Sequence, residues 1–180
     1  MDIAPLSSVS IDQLIASRVK EFREKDTAIP PVGSNSFKHI FSVLNENLRD
    51  SLKFSGDFSL WIYENAQGSR DEQHLDQLFE IWLADQSEQY STAISVPPRA
   101  WKLFDDICER GGSIRPSDYE DFGFNSSQNM RGQVAKLEQA DLVISEIDET
   151  DHRRKTISVM AKGWLLRHHR TGYARNGTAS

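Results

Sequence analysis

The fold of this chain is decided by the stretch Leu137-Glu138-Gln139-Ala140-Asp141-Leu142-Val143 and by two shorter stretches after it. These are Asp151-His152-Arg153-Arg154-Lys155 and then Lys162-Gly163. The first stretch is typical of a helix end that leads into a strand, and the second of a basic turn between two short strands. We therefore expect a helix ending near residue 140, a two-stranded hairpin with a basic tip, and a further helix.

The bulk composition is that of an ordinary globular protein with one large or two small domains. Of the 180 residues, 38% are hydrophobic and 27% are charged, which is close to the average for such proteins. The single cysteine, Cys108, excludes an intramolecular disulfide and a cysteine-rich metal site. The chain has no apolar run long enough for a membrane span and no signal-peptide pattern, so we expect no membrane association and a cytoplasmic location.

The charges are distributed unevenly along the chain. Residues 1–97 contain 8 Lys and Arg against 15 Asp and Glu, whereas residues 98–180 contain 13 against 12. No acidic residue follows Asp151. This segregation favours an acidic body with a basic contact edge, which is the pattern of a protein that meets a polyanion on one side only.

The N-terminal half is predicted to be helical, with a domain boundary at residues 96–97, where Pro97-Pro98 follows an irregular segment. Phe58 to Tyr63 is ambiguous between a strand and a helical turn. The predicted domains are an N-terminal helical region that serves dimerisation (1–96), a compact C-terminal domain (97–170) and a frayed tail (171–180). The helices predicted in the N-terminal region are 10–25, 36–52 and 71–86.

The second half alternates short helices and strands. Pro98 begins a helix that Gly111-Gly112 ends, and Ile114 forms a short strand. Ser117 and Asn125 are the predicted N-caps of the next two helices. The remaining predicted elements are a helix at 126–140, strands at 143–147 and 156–159, and a helix at 161–170.

The helix at 126–140 has an apolar face and a polar one. Met130, Val134 and Leu137 recur at helical spacing and should face the core. Its other side chains are hydroxyls, amides and cations, the groups that contact base edges and phosphates; a solvated polar face is the alternative interpretation. Gly132 lowers helix propensity without an evident gain unless a DNA backbone approaches closely. The candidate DNA contacts on this helix are Ser126, Ser127, Gln128, Asn129, Arg131, Gln133 and Lys136.

The order of helices, strands and basic turn is that of a winged helix-turn-helix, and the motifs resemble the MarR family of bacterial transcriptional regulators. The family's recognition-helix end is matched by Leu137-Glu138 and Leu142-Val143, and its aspartate-x-arginine wing motif by Asp151 and Arg153. Its lysine-glycine pair before the last helix is matched by Lys162-Gly163. The resemblance covers about residues 98–166.

This resemblance implies specific roles for the basic turn. In the family, the wing arginine enters the minor groove and the aspartate holds it, so these roles pass to Arg153 and Asp151. A narrow minor groove concentrates negative potential and attracts arginine. Arg154 and Lys155 are assigned phosphate contacts.

The chain departs from the family pattern at three places. Asp141 replaces the glycine after the recognition helix, and Asp tolerates the left-handed conformation better than most residues. Met160 replaces the threonine that would cap the last helix. Only 17 residues follow Gly163, whereas the family usually dimerises through its N-terminal helix and a long C-terminal helical arm. We therefore expect either that the N-terminal helices supply most of a dimer interface or that the chain is a divergent branch.

The other chemically notable residues have ordinary explanations beside functional ones. Cys108 is a buried structural thiol or a redox sensor, and the adjacent His168-His169 face solvent or phosphate instead of a metal. A small-molecule effector is a further partner left open, in a pocket between the N-terminal helices and the C-terminal domain. The aromatic residues that would line such a pocket, and that are more simply core, are Trp61, Tyr63, Phe79 and Trp82.

The sequence thus predicts a mainly α protein with a small β-wing, a winged helix-turn-helix preceded by a helical dimerisation region. The expected function is sequence-specific transcriptional regulation by a homodimer on a pseudo-palindromic site in double-stranded DNA, at the nucleoid. No catalytic constellation, metal site or cofactor motif is evident, so we do not expect an enzyme. Two alternatives remain open: a winged-helix module that binds another protein, and a replication or partition DNA-binding protein.

Overall fold

The protein is mainly helical and has one small antiparallel sheet, which confirms the predicted fold class at this coarse level. The computed structural model describes residues 8–22, 29–65, 71–147 and 155–176. The helices are α1 (Ser8–Phe22), α2 (Ser34–Val43), α3 (Leu48–Asn65), α4 (Glu72–Ala93), α5 (Pro98–Glu109), a 3-10 helix (Pro116–Phe122), α6 (Ser127–Gln139) and α7 (Ala161–Asn176). The strands are β1 (Ser113–Ile114), β2 (Val143–Ile147) and β3 (Lys155–Val159).

The chain forms two compact units, Met1–Asp85 and Gln86–Ser180. The division lies within α4, because this helix continues to Ala93 instead of ending near residue 86 as the sequence suggests. The boundary predicted from the sequence lies eleven residues later, at the Pro97-Pro98 pair, which is where α5 begins. No helix in the described ranges has both the length and the apolarity to cross a membrane.

The prediction of one continuous helix at 36–52 is wrong, because the first unit has two helices there, α2 and α3. Asn45 and Glu46 have left-handed φ angles of 53° and 62°, and the side chain of Asn47 then caps α3 by accepting the Asp50 N–H at 3.1 Å. The apolar spacing continues across the break, since Leu44 is buried and Leu48 is half-buried. Periodicity alone therefore could not reveal it. The ambiguous segment at 58–63 is helical and belongs to α3.

An aromatic cluster forms the core of the first unit. Phe58 of α3 packs edge-on against Phe79 of α4, with ring centroids 5.0 Å apart. Trp82 lies 5.4 Å from Phe58 and 6.2 Å from Phe54. Phe79 and Trp82, which the sequence also offered as pocket-lining residues, are therefore core residues.

The second unit packs α5, the 3-10 helix and α6 against the sheet. The strand order is β1-β3-β2, and Ile157 of β3 is opposite both Ile114 of β1 and Ser145 of β2. The predicted strands at 114, 143–147 and 156–159 are thus confirmed to within one residue. The last helix runs to Asn176, six residues beyond the predicted end. The buried core of this unit comes from every element between α5 and β3: Leu103, Phe104, Ile107, Ile114, Phe122, Met130, Leu137, Leu142 and Ile157.

Two predicted N-caps are displaced along the chain. Asp118, at the third position of the 3-10 helix, accepts the Arg115 N–H at 3.0 Å, so the helix begins at Pro116 and Ser117 is not its cap. Ser126 caps α6 by accepting the Asn129 N–H at 3.2 Å, in place of the predicted Asn125. Ser and Asn are equally good N-caps, so residue type does not decide between Asn125 and Ser126. The position at which the chain leaves the turn at Gly123, a residue with a φ of 71°, decides it.

Candidate nucleic-acid interface

Helix α6 has one buried face and one exposed face, as the sequence predicts. Met130, Val134 and Leu137 are buried in the core of the second unit. The opposite ridge of the helix consists of exposed side chains at helical spacing. The residues of this ridge are Gln128, Gly132, Ala135 and Gln139. We call it, with the flanking residues Arg131, Asn129 and Lys136, the α6 face.

The side chains that flank the central ridge of α6 are exposed on both sides, with one exception. Arg131, Asn129 and Lys136 are exposed, whereas Gln133 is half-buried. Lys136 Nζ lies 3.5 Å from Gln133 Oε1, to which it donates a long hydrogen bond. Gln133 therefore supports Lys136 from beside the core and is less available for direct contact than the sequence suggested.

The N-terminal end of α6 uses its hydroxyls for the fold. Ser126 Oγ accepts the Asn129 N–H, and both Ser126 and Ser127 are half-buried. A serine hydroxyl that accepts one bond can still donate its own proton. Gln128 and Asn129 are exposed beside them, so amide and hydroxyl donors meet at the start of α6, where the helix dipole also favours an anion.

Gly132 and Ala135 keep the centre of the α6 face flat. A Cβ atom added at Gly132 would meet no atom within 4 Å. The fold therefore gives no steric reason for glycine at this exposed helical position, where it costs about 1 kcal/mol relative to alanine. A flat centre between an arginine and a lysine allows another molecule to approach the helix backbone closely.

The two basic residues of the α6 face differ in their electrostatic partners from four other cations of the second unit. Among the described residues, neither Arg131 nor Lys136 forms an ion pair. Four other cations of this unit are held by carboxylates. These pairs are Lys102–Asp106, Arg110–Asp121, Arg170–Asp105 and Lys162–Asp141. The two cations of the α6 face can therefore bind an anion without first breaking an ion pair.

The C-terminal end of α6 accommodates Asp141 where the family pattern has glycine. Asp141 has a left-handed φ of 56°, and the Leu142 N–H donates to the Leu137 carbonyl at 2.9 Å, which closes the helix in a Schellman-type turn. Lys162 Nζ lies 3.6 Å from Asp141 Oδ2. The Asp141 side chain therefore has a partner at the start of α7, a contact that no local sequence pattern indicates.

Gly163 has a packing role. A Cβ atom at this position would lie 2.6 Å from the Leu142 carbonyl oxygen and 2.9 Å from a Val159 methyl carbon. Helix α7 can approach the β2 start and β3 only because the residue is glycine. The Lys162-Gly163 pair thus fixes α7 to the end of α6 and to the sheet.

The predicted wing is described only at its bases. Ile147 of β2 is paired with Lys155 of β3 at the last register position of the hairpin. Lys155 is exposed there. Asp151, Arg153 and Arg154 lie outside the described residues, so their assigned roles stay predictions.

A half-open groove of about 390 Å³ lies beside the C-terminal end of α6. Its walls are the segment between α4 and α5, the last turn of α6 and the start of α7. The groove is therefore not at the place predicted from the aromatic residues of α3 and α4, and Tyr63 of that set is 86% exposed. Lys136 lines the groove and also belongs to the α6 face. The lining residues are Ala93, Ile94, Ser95, Pro97, Lys136, Gln139, Ala140 and Lys162.

Cys108 is buried in the core of the second unit. Burial raises the pKa of its thiol to about 12, against the smaller opposing effect of the nearby Arg167. Almost no thiolate exists at neutral pH, which favours the structural interpretation over a redox sensor. Within the described ranges, no cluster of three or more histidine, cysteine, aspartate or glutamate side chains could hold a metal ion.

Comparisons with known proteins add little to this geometry. No protein-family model matches the chain, and no curated protein matches it either. A solved structure, the YusO protein from Bacillus subtilis, aligns with 69% of this chain and 81% of its own length, at 17% identity and a TM-score of 0.36. A TM-score of this size does not establish a shared fold, and nothing about function follows from it.

Proposed function

We propose that this chain is a sequence-specific DNA-binding transcriptional regulator of the MarR-like, winged helix-turn-helix type, acting as a homodimer on a pseudo-palindromic operator. Helix α6 would lie in a major groove and the turn at residues 148–154 in the adjacent minor groove. The observation that carries the proposal is the α6 face, flat at Gly132 and Ala135 and flanked by the cations Arg131 and Lys136.

The side chains of the α6 face are of the kinds that bind DNA, and a helix face that only meets water would not need them. Amides at Gln128 and Asn129 can pair with base edges, whereas Arg131 and Lys136 can neutralise phosphates or contact guanine. Neither cation has a carboxylate partner among the described residues, so neither must break an ion pair before it binds a phosphate. The ion-paired cations of α5 and α7 would have to do so.

The experiment is selection of genomic DNA fragments by the purified protein at physiological salt, with wild type compared with Arg131→Ala and Arg153→Ala. We expect a shared palindromic motif for wild type and a loss of affinity of about tenfold or more for each variant. Lys102→Ala is the matched control, because it also removes one positive charge but its ammonium is already bound to Asp106 at 2.8 Å. It should retain the motif and most of the affinity.

The results separate the alternatives. Bound fragments without an enriched motif, lost equally in all three variants, would contradict sequence-specific regulation. Absence of any DNA affinity would favour the winged-helix module that binds another protein. A motif confined to one or a few genomic loci near a replication origin or a partition site would favour the replication or partition protein.

A further inference from the structure

We propose that the outward face of α3 is the surface by which two copies of this chain associate, with the two α3 helices packed antiparallel around a twofold axis. The inference rests on the homodimer of the proposed function and names its interface. The α3 face consists of Lys53, Gly56, Leu60, Tyr63 and Glu64.

The apolar part of the α3 face is unusually exposed. Leu60 is 65% exposed and Tyr63 is 86% exposed, although Phe54, Phe58 and Ile62 of the same helix are buried. Gly56, Leu60 and Tyr63 recur at intervals of four and three residues, so they lie on one ridge opposite the core. Two large apolar side chains on one ridge would gain by leaving water together.

Gly56, at the centre of this ridge, leaves room for a second helix to approach the α3 backbone closely. It is exposed, and an added Cβ would meet no atom within 4 Å. Within the fold, therefore, alanine would fit at Gly56 and would favour the helix by about 1 kcal/mol. If a second α3 runs antiparallel and crosses near residue 58, Leu60 of each copy lies over Gly56 of the other. Because Gly56 has no side chain, Leu60 of the second copy has room to pack against the helix backbone there.

The charges on the α3 face are complementary to themselves in the same arrangement. Lys53 and Glu64 are both exposed, and neither forms an ion pair within the parts of the chain that the structure describes. They lie at nearly equal distances on either side of residue 58. An antiparallel copy therefore places Lys53 beside Tyr63 and Glu64 of the second copy, twice per dimer, whereas a parallel copy would place like charges together.

A second copy fits this surface better than an unrelated partner does, because each feature finds its complement within the same ridge: leucine with glycine, and lysine with glutamate and tyrosine. A single pair of helices gives an interface at the small end of specific ones, below roughly 1,200 Å². We therefore expect a dimer that dissociates in the micromolar range.

The test is sedimentation equilibrium of the full-length protein across a range of concentrations. Lys53→Glu and Glu64→Lys should each weaken the dimer by about tenfold, because each places like charges together twice. The double variant Lys53→Glu/Glu64→Lys should restore association to near the wild-type level. Rescue of this kind requires the two residues to meet across the axis, and a merely structural role would not produce it.

Two further variants separate loss of association from loss of folding. Gly56→Leu should raise the thermal stability of the monomer through helix propensity and yet abolish the dimer. Leu60→Asp should abolish it without unfolding the chain, because the side chain is mostly exposed. Ile81→Asp, at a 55% exposed isoleucine of α4, is the matched control and should leave the dimer intact.

A monomeric wild type, a dimer that survives Gly56→Leu, or a charge swap without rescue would overturn the inference. DNA binding is measured separately on the same variants. A dimer that needs the α3 face but binds no DNA would refute the proposed function and leave the inference standing. A dimer that binds DNA and is unaffected by every α3 variant would refute the α3 interface and leave the proposed function standing.

Discussion

At the scale of single residues, Cys108 shows how burial determines reactivity. Its pKa of about 12 follows from desolvation, which penalises the thiolate. We expect the native protein at pH 8 to react with a thiol reagent only through unfolding, while the denatured chain reacts at once. The rate of absorbance change with a disulfide reagent, with and without denaturant, measures this. Rapid reaction of the native protein would show an accessible thiolate and revive the redox sensor.

Gly132 offers a residue-scale test in which stability and binding change in opposite directions. Gly132→Ala should raise the free energy of unfolding by about 0.5–1 kcal/mol, because the helix gains propensity and the new methyl group meets no atom. If DNA approaches the helix backbone here, the same methyl group should weaken operator binding. Thermal unfolding and fluorescence anisotropy on labelled operator measure the two effects. Unchanged affinity would show that the glycine is not needed for DNA contact.

At the scale of elements, the end of α6 depends on the start of α7. Gly163→Ala should destabilise the protein by about 1–3 kcal/mol, because its Cβ would overlap the Leu142 carbonyl oxygen and force the helix away from β3. Gly172→Ala is the matched control in the same helix, since a Cβ there meets nothing within 4 Å. It should leave stability equal or slightly higher. Equal losses in both variants, measured by denaturant unfolding, would contradict the packing argument.

The break between α2 and α3 is a second lesson at this scale. The apolar spacing from Phe37 to Leu48 is compatible with one continuous helix and predicts one. Asn45 and Glu46 instead turn the chain, and Asn47 caps the next helix. Leu44 and Leu48 are turned toward apolar neighbours in both arrangements, so hydrophobic periodicity could not distinguish them. The signal in the sequence that indicates the break is the Asn47-x-x-Asp50 cap.

At the scale of the whole molecule, the second unit encloses a core of its own. The cluster that includes Phe104, Ile107, Leu137 and Ile157 lies entirely within residues 86–180. We expect residues 86–180, expressed alone, to unfold in one cooperative transition and to bind operator DNA more weakly than the full-length dimer. Calorimetry and anisotropy test this. A fragment without a cooperative transition would show that the division into two units does not correspond to independent folding.

The sequence by itself determined the mainly helical class, the buried face of α6 and the strands that follow it. These features depend on local spacing of apolar residues and on turn residues such as Gly123 and Asp141, whose preferences are carried by a few neighbouring positions.

Only the tertiary structure decided which cations are paired with carboxylates and which glycines are required. Arg170 meets Asp105 across 65 positions of sequence, and Gly163 meets Leu142 across the start of the sheet. Such pairings depend on how elements pack, which no local pattern records. Packing pairs Lys102 of α5 and Lys162 and Arg170 of α7 with carboxylates. Within the described residues it leaves Arg131 and Lys136 of α6 without such a partner, which no pattern along the helix itself records.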